Sequence, residues 1–221
     1  MTSSADTPGW LLPVVHAVTN DDKLLDPDFP THARDVMRAL GARGAIHVRA
    51  RWLPDRRLLD ITQSLVAAAR ESGCLVVVND RVDIALAGGA EAVQLTSRSA
   101  GVSDVREMTP ALRIGSSVHT PAEARDAGLF GADWCVAGHV FGSGSHADEP
   151  GRGVGFLQDC AEATDIPVIA IGGVTSGRVR DVIDAGAYGV ASISGIWDAP
   201  NPGEAAGRYL SEYVAAAERR G

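Results

Sequence analysis

Two apolar segments that end in small residues are the first candidates for a binding site in this sequence. Residues 166–171 lead into Gly172 and Gly173, and residues 187–193 lead into Ser194 and Gly195. The apolar runs are short and continuous, which predicts parallel strands buried on both faces. Glycine and serine at such strand ends leave backbone N–H groups open to a phosphate. The pair of turns therefore predicts a phosphate site, and the alternative is that the glycines serve packing only.

Charged and titratable side chains alternate at the end of the second predicted strand. His47, Arg49 and Arg51 share one side of that strand, because side chains repeat every second residue. Two guanidinium groups offer bidentate contacts to a carboxylate or a phosphate. The pattern predicts substrate binding, and the alternative is a structural ion pair with Asp80 or with an acidic residue of a loop.

Neutral polar residues end the next two strands. Asn79 and Gln94 share the parity of buried neighbours and are expected to point inward as hydrogen-bonding groups for a substrate. Asp80 follows directly, and three roles stay open for it. It could cap the next helix, hold Arg49 or contact a cation.

A histidine follows the fifth strand. His119 shares parity with Ser117, and an imidazole at such a rim can move protons near neutral pH. It could equally be a rim residue that binds a loop. His139 and His146 are alternative acid–base groups. The six histidines include no HxxxH pair backed by a carboxylate, and no nucleotide-binding loop occurs, so we expect no metal and no cofactor.

Eight strand patterns alternate with eight helical patterns along the chain, which predicts the elements that position these residues. The pattern favours an α/β fold, a single-domain (β/α)8 TIM barrel over residues 13–221 after an N-terminal lead-in of residues 1–12. A doubly wound open sheet is the alternative. In a barrel all strands end at one mouth, and the loops after strands seven and eight are the usual phosphate site. The predicted strands are 14–18, 44–49, 74–78, 91–95, 112–116, 133–137, 167–171 and 187–193.

Composition excludes several classes of function. The net charge of −8 over 221 residues argues against a nucleic-acid or membrane surface. The three cysteines are far apart and odd in number, so no disulfide framework is expected. No apolar run reaches the length of a membrane span and no signal peptide is evident, which predicts a cytoplasmic protein.

Several motifs resemble those of the thiamine phosphate synthase/TenI superfamily, a set of (β/α)8 barrels. The strongest are residues 79–86, Gly138–Phe141, Gly151–Val154 and the two phosphate turns, and the resemblance extends over residues 15–196. The synthase branch carries lysines on strand two and in the long loop, and an acid after strand four. This chain has Arg51, His146 and Ser99 at the corresponding segments, which removes a magnesium ligand and charge that would hold pyrophosphate.

The TenI branch is the better match, since Ile46–Arg51, Ser117–His119 and Gly138–Phe141 resemble its motifs. The resemblance implies a thiazole tautomerase of thiamine biosynthesis, an isomerase that aromatises a phosphorylated thiazole carboxylate by proton transfer. His119 is then the general acid/base, the substrate is a small phosphorylated thiazole, and a homodimer is possible. The alternatives are a thiamine phosphate synthase and a non-catalytic regulator that binds thiazole phosphate or thiamine phosphate.

Overall fold

A closed barrel of eight parallel strands forms the centre of the described part of the chain. The computed structural model describes residues 11–142 and 150–220. Each strand pairs with the next in sequence order, and β8 pairs with β1 to close the barrel. The (β/α)8 prediction is confirmed. The strands are β1 Val15–Val18, β2 Gly44–Val48, β3 Leu75–Asn79, β4 Ala92–Leu95, β5 Arg113–Val118, β6 Trp134–Ala137, β7 Val168–Ala170 and β8 Gly189–Ser192.

Helices surround the barrel and connect its strands. Each long helix packs an apolar face on the outer face of the sheet, which therefore is buried on both sides. The helices of the described residues are α1 Asp21–Leu25, α2 Phe29–Leu40, α3 Asp55–Ser72, α4 Val82–Gly88, α5 Val102–Met108, α6 Pro121–Leu129, α7 Gly153–Glu162, α8 Val179–Asp184, α9 Ser194–Trp197 and α10 Pro202–Glu218.

The barrel interior is filled by side chains around Trp134, which is fully buried. Val77 and Ile169 belong to the same inner cluster. Gly115 points at this indole: a Cβ there would lie 2.3 Å from Trp134 Cε2 and 2.2 Å from Gln94 Oε1. Strand five therefore needs glycine at this inward position, because the large ring of β6 occupies the space.

Two differences from the sequence prediction concern the mouth. Strand β5 continues to Val118 and so includes Ser117. Two short helices, α1 and α9, follow β1 and β8. Asn20 is the N-cap of α1, and its side chain accepts a hydrogen bond from the N–H of Lys23. Helices of four or five residues are too short to show a hydrophobic period, so the sequence does not reveal them.

The three cysteines are free and buried, in agreement with the absence of a disulfide framework. Burial raises the pKa of the Cys74 and Cys135 thiols to about 12, so both are inert at neutral pH. Within residues 11–142 and 150–220, no helix has the length and apolar content needed to cross a membrane.

Candidate functional site

The floor of the mouth contains a buried chain of polar side chains from β1, β2 and β3. His16 Nε2 lies 2.9 Å from the carbonyl oxygen of Pro13, and His16 Nδ1 lies 2.8 Å from His47 Nε2. His47 Nδ1 then lies 3.2 Å from Asn79 Oδ1. Burial lowers the pKa of His16 to about 4, and burial together with the neighbouring His16 lowers that of His47. Both rings are therefore neutral at neutral pH.

Because both imidazole rings are neutral, each hydrogen bond in this series can have only one donor and one acceptor. The Pro13 carbonyl can only accept, so His16 donates from Nε2 and accepts at Nδ1 from His47 Nε2. The remaining nitrogen of His47 is then an acceptor. The structure places Asn79 Oδ1 at this nitrogen, and two acceptors cannot share a hydrogen bond. We therefore infer that the amide is reversed, with its NH2 group toward His47 and its oxygen left as an acceptor for a ligand.

A second chain joins β4, β5 and β6. The indole N–H of Trp134 donates to Gln94 Oε1 at 3.0 Å, and Gln94 Nε2 donates to Ser117 Oγ at 3.0 Å. Trp134 can only donate, so the amide of Gln94 has one orientation. Ser117 consequently accepts from Gln94 and keeps its own hydroxyl hydrogen for another acceptor. Asn79 and Gln94 are buried, as their predicted inward positions require, and Ser117 contacts Gln94. The roles of all three toward a substrate stay predictions.

Arg49 and Arg51 follow β2 at the rim, on a backbone held by two residues that follow β1. Thr19 accepts from the N–H of Arg49 at 3.0 Å, and the Asp21 carboxylate accepts from the N–H groups of Arg51, Trp52 and Leu53. Neither guanidinium group has a hydrogen bond or an ion pair within the described residues, so the structural ion pair with Asp80 is not formed there. Burial, Arg51 and Arg98 lower the pKa of Arg49.

Among the described residues, Asp80 neither caps the next helix nor forms a hydrogen bond or ion pair with Arg49. The N-cap residue of α4 is Arg81, so Asp80 does not cap that helix. Its Oδ1 accepts from the hydroxyl groups of Thr96 and Ser99, and its Oδ2 lies 3.2 Å from a nitrogen of Arg98. Asp80 is the one non-glycine residue in the described ranges with a positive φ, 63°.

These contacts do not fit the magnesium ion that the synthase resemblance implies. Asp80 is a single carboxylate, both of its oxygens have donors, and one donor is a cation. A hard divalent cation prefers several oxygen ligands, including more than one carboxylate or a substrate phosphate. Across residues 11–142 and 150–220, no group of three or more His, Cys, Asp or Glu side chains could hold a metal ion.

His119 lies exposed at the rim of β5, and its ring is oriented by a backbone group. Its Nδ1 lies 3.2 Å from the carbonyl oxygen of Gly138, so Nδ1 donates, and Nε2 has no hydrogen-bond partner in residues 11–142 and 150–220. The carboxylate of Glu123 accepts from the N–H of His119, and Arg152 donates to its carbonyl oxygen. The catalytic role of His119 stays a prediction.

His139 is buried where β6 leads into the long loop, with only 8% of its surface exposed. Its Nε2 lies 3.2 Å from the carbonyl oxygen of Pro150, and its own carbonyl accepts from the N–H of Arg152. These contacts hold the two ends of the loop together. His146 lies outside the described residues.

Gly172 and Gly173 have φ values of 96° and 60°, which favour glycine. A Cβ on Gly172 would lie 2.3 Å from His139 Cβ, and one on Gly173 would lie 2.4 Å from the carbonyl oxygen of Gly142. Packing therefore explains why both residues are glycine. Their N–H groups have no acceptor within the described residues and remain available to an anion.

Ser194 and Gly195 follow β8 and start α9, and their N–H groups also have no acceptor in the described part of the chain. A Cβ on Gly195 would lie 2.1 Å from the hydroxyl of Tyr209. That hydroxyl donates to the carbonyl oxygen of Val174 at 2.8 Å and contacts Ser192. The two phosphate turns are thus tied together by Tyr209, and phosphate binding stays a prediction.

Sequence reasoning missed several residues that position the mouth: His16, Thr19, Asp21, Arg98 and Trp134. Only His16 carries a usable signal, since a histidine within an apolar strand shares parity with inward-facing residues. The others act through turns or through the barrel centre. Their contacts depend on the strand register and have no local pattern.

Comparison with known proteins agrees with this architecture. The family described as thiamine monophosphate synthase matches residues 15–196. A thiamine-phosphate synthase of Methanoculleus marisnigri is 38% identical over 195 residues, which are 86% of this chain and 92% of that protein. Another, of Roseiflexus castenholzii, is 38% identical over 79% of this chain and 77% of its own. The structure of a Pyrococcus furiosus thiamine phosphate pyrophosphorylase has a TM-score of 0.82 at 32% identity, covering 92% of this chain and 96% of that chain.

These relatives correct the expected activity. The thiazole tautomerase prediction is wrong, because relatives that are 35–38% identical to this chain over most of its length are named thiamine-phosphate synthases. The isomerase class is wrong for the same reason, since such relatives indicate a transferase. The short motifs on strands two, five and six misled the prediction because they outweighed similarity spread over the whole barrel. With its sequence matched from residue 15 to 196, the chain belongs to the thiamine monophosphate synthase family.

Proposed function

We propose that this chain is a thiamine-phosphate synthase, a transferase that joins a phosphorylated thiazole to a pyrimidine carried as its methyl diphosphate. The observation that carries the proposal is the identity of 38% with a thiamine-phosphate synthase over 92% of that relative's length. In the reaction, the thiazole nitrogen forms a bond to the methylene carbon of the pyrimidine. The bond from that carbon to the diphosphate oxygen breaks, and the diphosphate leaves with the electron pair.

Two substrates of this kind need two anion-binding regions, and the mouth has two candidates, one after β7 and β8 and one after β2. The backbone N–H groups at Gly172, Gly173 and Ser194 suit the single phosphate of the thiazole. The guanidinium groups of Arg49 and Arg51 suit the diphosphate, which gains negative charge as it leaves. Both regions flank the same floor, so the two organic rings would meet above it.

The floor supports binding of an uncharged heterocycle. Ser117 has a hydroxyl hydrogen to donate, and Asn79 has an amide oxygen to accept, as the two buried chains require. An aminopyrimidine ring carries ring nitrogens that accept and an amino group that donates. Neutral His16 and His47 keep this floor free of charge, so that a neutral ring is not disfavoured there.

The test is formation of thiamine phosphate from thiazole phosphate and the pyrimidine diphosphate, followed by fluorescence after oxidation to thiochrome. We expect the purified chain to form thiamine phosphate. In Ser117→Ala the turnover rate should fall by about tenfold or more, because the variant lacks the hydroxyl that donates a hydrogen bond from the floor. The exposed Ser211→Ala on α10 is a matched control with expected wild-type rates. Binding of both substrates without product would contradict the synthase and favour the non-catalytic regulator.

A further inference from the structure

The corner of the mouth between β2 and β4 combines one engaged carboxylate with three arginines. Asp80 follows β3, which lies between β2 and β4 in the barrel. Arg49 and Arg51 follow β2, and Arg98 follows β4, so the three arginines flank Asp80. The Asp80 carboxylate is 17% exposed, and its oxygens accept from two hydroxyl groups and from Arg98.

The backbone of this corner is fixed, while the guanidinium groups of Arg49 and Arg51 make no hydrogen bond or ion pair with residues 11–142 and 150–220. The Asp21 carboxylate accepts hydrogen bonds from three backbone N–H groups, and the Thr19 hydroxyl accepts one from the N–H of Arg49. Arg49 and Arg51 have no ion pair in the described residues. Three guanidinium groups outnumber the two carboxylates near them, which is costly for half-buried Arg49 unless an anion binds.

We propose that Arg98, held by Asp80, takes the position of a divalent cation, and that Arg49, Arg51 and Arg98 bind a diphosphate group without metal. The proposal rests on the proposed function, from which it takes the diphosphate ester as ligand. Asp80 is then a positioning residue for Arg98 and no metal ligand. A guanidinium group provides a permanent charge and a planar pair of donors, which suits adjacent phosphate oxygens.

The position of Ser99 explains why a cation is not favoured here. Its hydroxyl lies 2.7 Å from Asp80 Oδ1, so an acidic residue at this position would place a second carboxylate beside Asp80. With serine at this position, the hydroxyl donates to Asp80 and supplies no charge. The guanidinium of Arg98, 3.2 Å from Asp80 Oδ2, repels a divalent cation from the remaining carboxylate.

Calorimetric titration with inorganic pyrophosphate tests the proposal apart from turnover. We expect wild type to bind with the same affinity, within about threefold, in EDTA and in excess magnesium. Arg98→Gln should weaken binding in EDTA by about tenfold or more. Arg38→Gln is the matched control, because Arg38 pairs with Asp35 at 2.8 Å near the end of α2 away from the mouth.

The variant Asp80→Asn distinguishes a role of Asp80 in positioning Arg98 from a role as a magnesium ligand. The amide oxygen can still accept from Arg98, so we expect binding in EDTA to stay within about threefold of wild type. A requirement for magnesium in wild type, with loss of binding in Asp80→Asn, would overturn the proposal. Unchanged binding in Arg98→Gln would overturn it too.

The converse variant combines Arg98→Ala with Ser99→Asp, which places two carboxylates together and removes the guanidinium. We expect pyrophosphate binding by this variant to become dependent on magnesium by about tenfold or more. Equal pyrophosphate affinity of this variant with and without magnesium would contradict the role given to Arg98. Metal-free pyrophosphate binding without thiamine phosphate formation would reject the synthase activity and leave the arginine site standing.

Discussion

The two sides of the barrel mouth are built by different means. At β7 and β8, glycines are packed against His139, Gly142 and Tyr209, and the groups left for a ligand are backbone N–H groups. At β2 to β4, the groups left for a ligand are arginine side chains on a backbone held by Thr19 and Asp21. Changes on the first side should therefore damage the fold, and changes on the second should damage binding only.

The largest effect is expected on the packed side. Gly195→Val would bring a side chain within 2.1 Å of the Tyr209 hydroxyl and break its bond to Val174. We expect the free energy of unfolding to fall by about 3 kcal/mol, as in overpacked cores. Chemical denaturation measures this loss. Wild-type stability would contradict the packing role of Gly195.

The neutral floor between the two sides should show its burial in the pH dependence of stability. The pKa of His16 is about 4 in the folded state, against 6.5 for the unperturbed side chain. Between these values the unfolded state binds a proton that the folded state does not, so acid favours unfolding. Lowering the pH from about 7 to about 4.5 should cost about 2–3 kcal/mol through His16.

His16→Asn should remove this part of the pH dependence, and His47 should keep the part that comes from its own burial. The measurement is the change in unfolding free energy with pH for both proteins, so that a constant loss of stability in the variant does not matter. Equal slopes for variant and wild type between about pH 4.5 and pH 6 would show that His16 is not a buried neutral ring.

The smallest effect on stability is expected at the arginines. Arg49→Lys keeps the charge and loses the planar pair of donors, so we expect about tenfold weaker pyrophosphate binding. The unfolding free energy should change by less than about 0.5 kcal/mol, because the guanidinium has no partner in the described residues. Wild-type affinity together with reduced stability would reverse the comparison and make Arg49 structural.

Patterns local to one strand were predictable, and contacts that depend on strand register were not. The β-branched runs and their parity predicted that His47, Asn79 and Gln94 point into the barrel or its mouth, because a buried parallel strand shows this in its own sequence. The direction of their hydrogen bonds depends on Trp134 and on Pro13, which are distant in sequence. Sequence alone therefore located the floor and left its donors and acceptors open.

The contacts of Asp80 were also not predictable from the sequence, because they depend on which strands are neighbours. Its partners Thr96, Arg98 and Ser99 follow the next strand, and they reach it only because β3 and β4 end side by side. Short local motifs also gave the wrong prediction of the activity. Three short motifs favoured the tautomerase branch, whereas identity over the whole barrel indicates the synthase.

The most direct test of the two-sided mouth is a crystal structure of the chain with thiazole phosphate and inorganic pyrophosphate bound together, without magnesium. We expect the thiazole phosphate to bind at the N–H groups of Gly172, Gly173 and Ser194. We expect the pyrophosphate to bind between Arg49, Arg51 and Arg98, with Asp80 still contacting Arg98. Both anions on one side of the mouth, or pyrophosphate that binds only with a magnesium ion on Asp80, would contradict this arrangement.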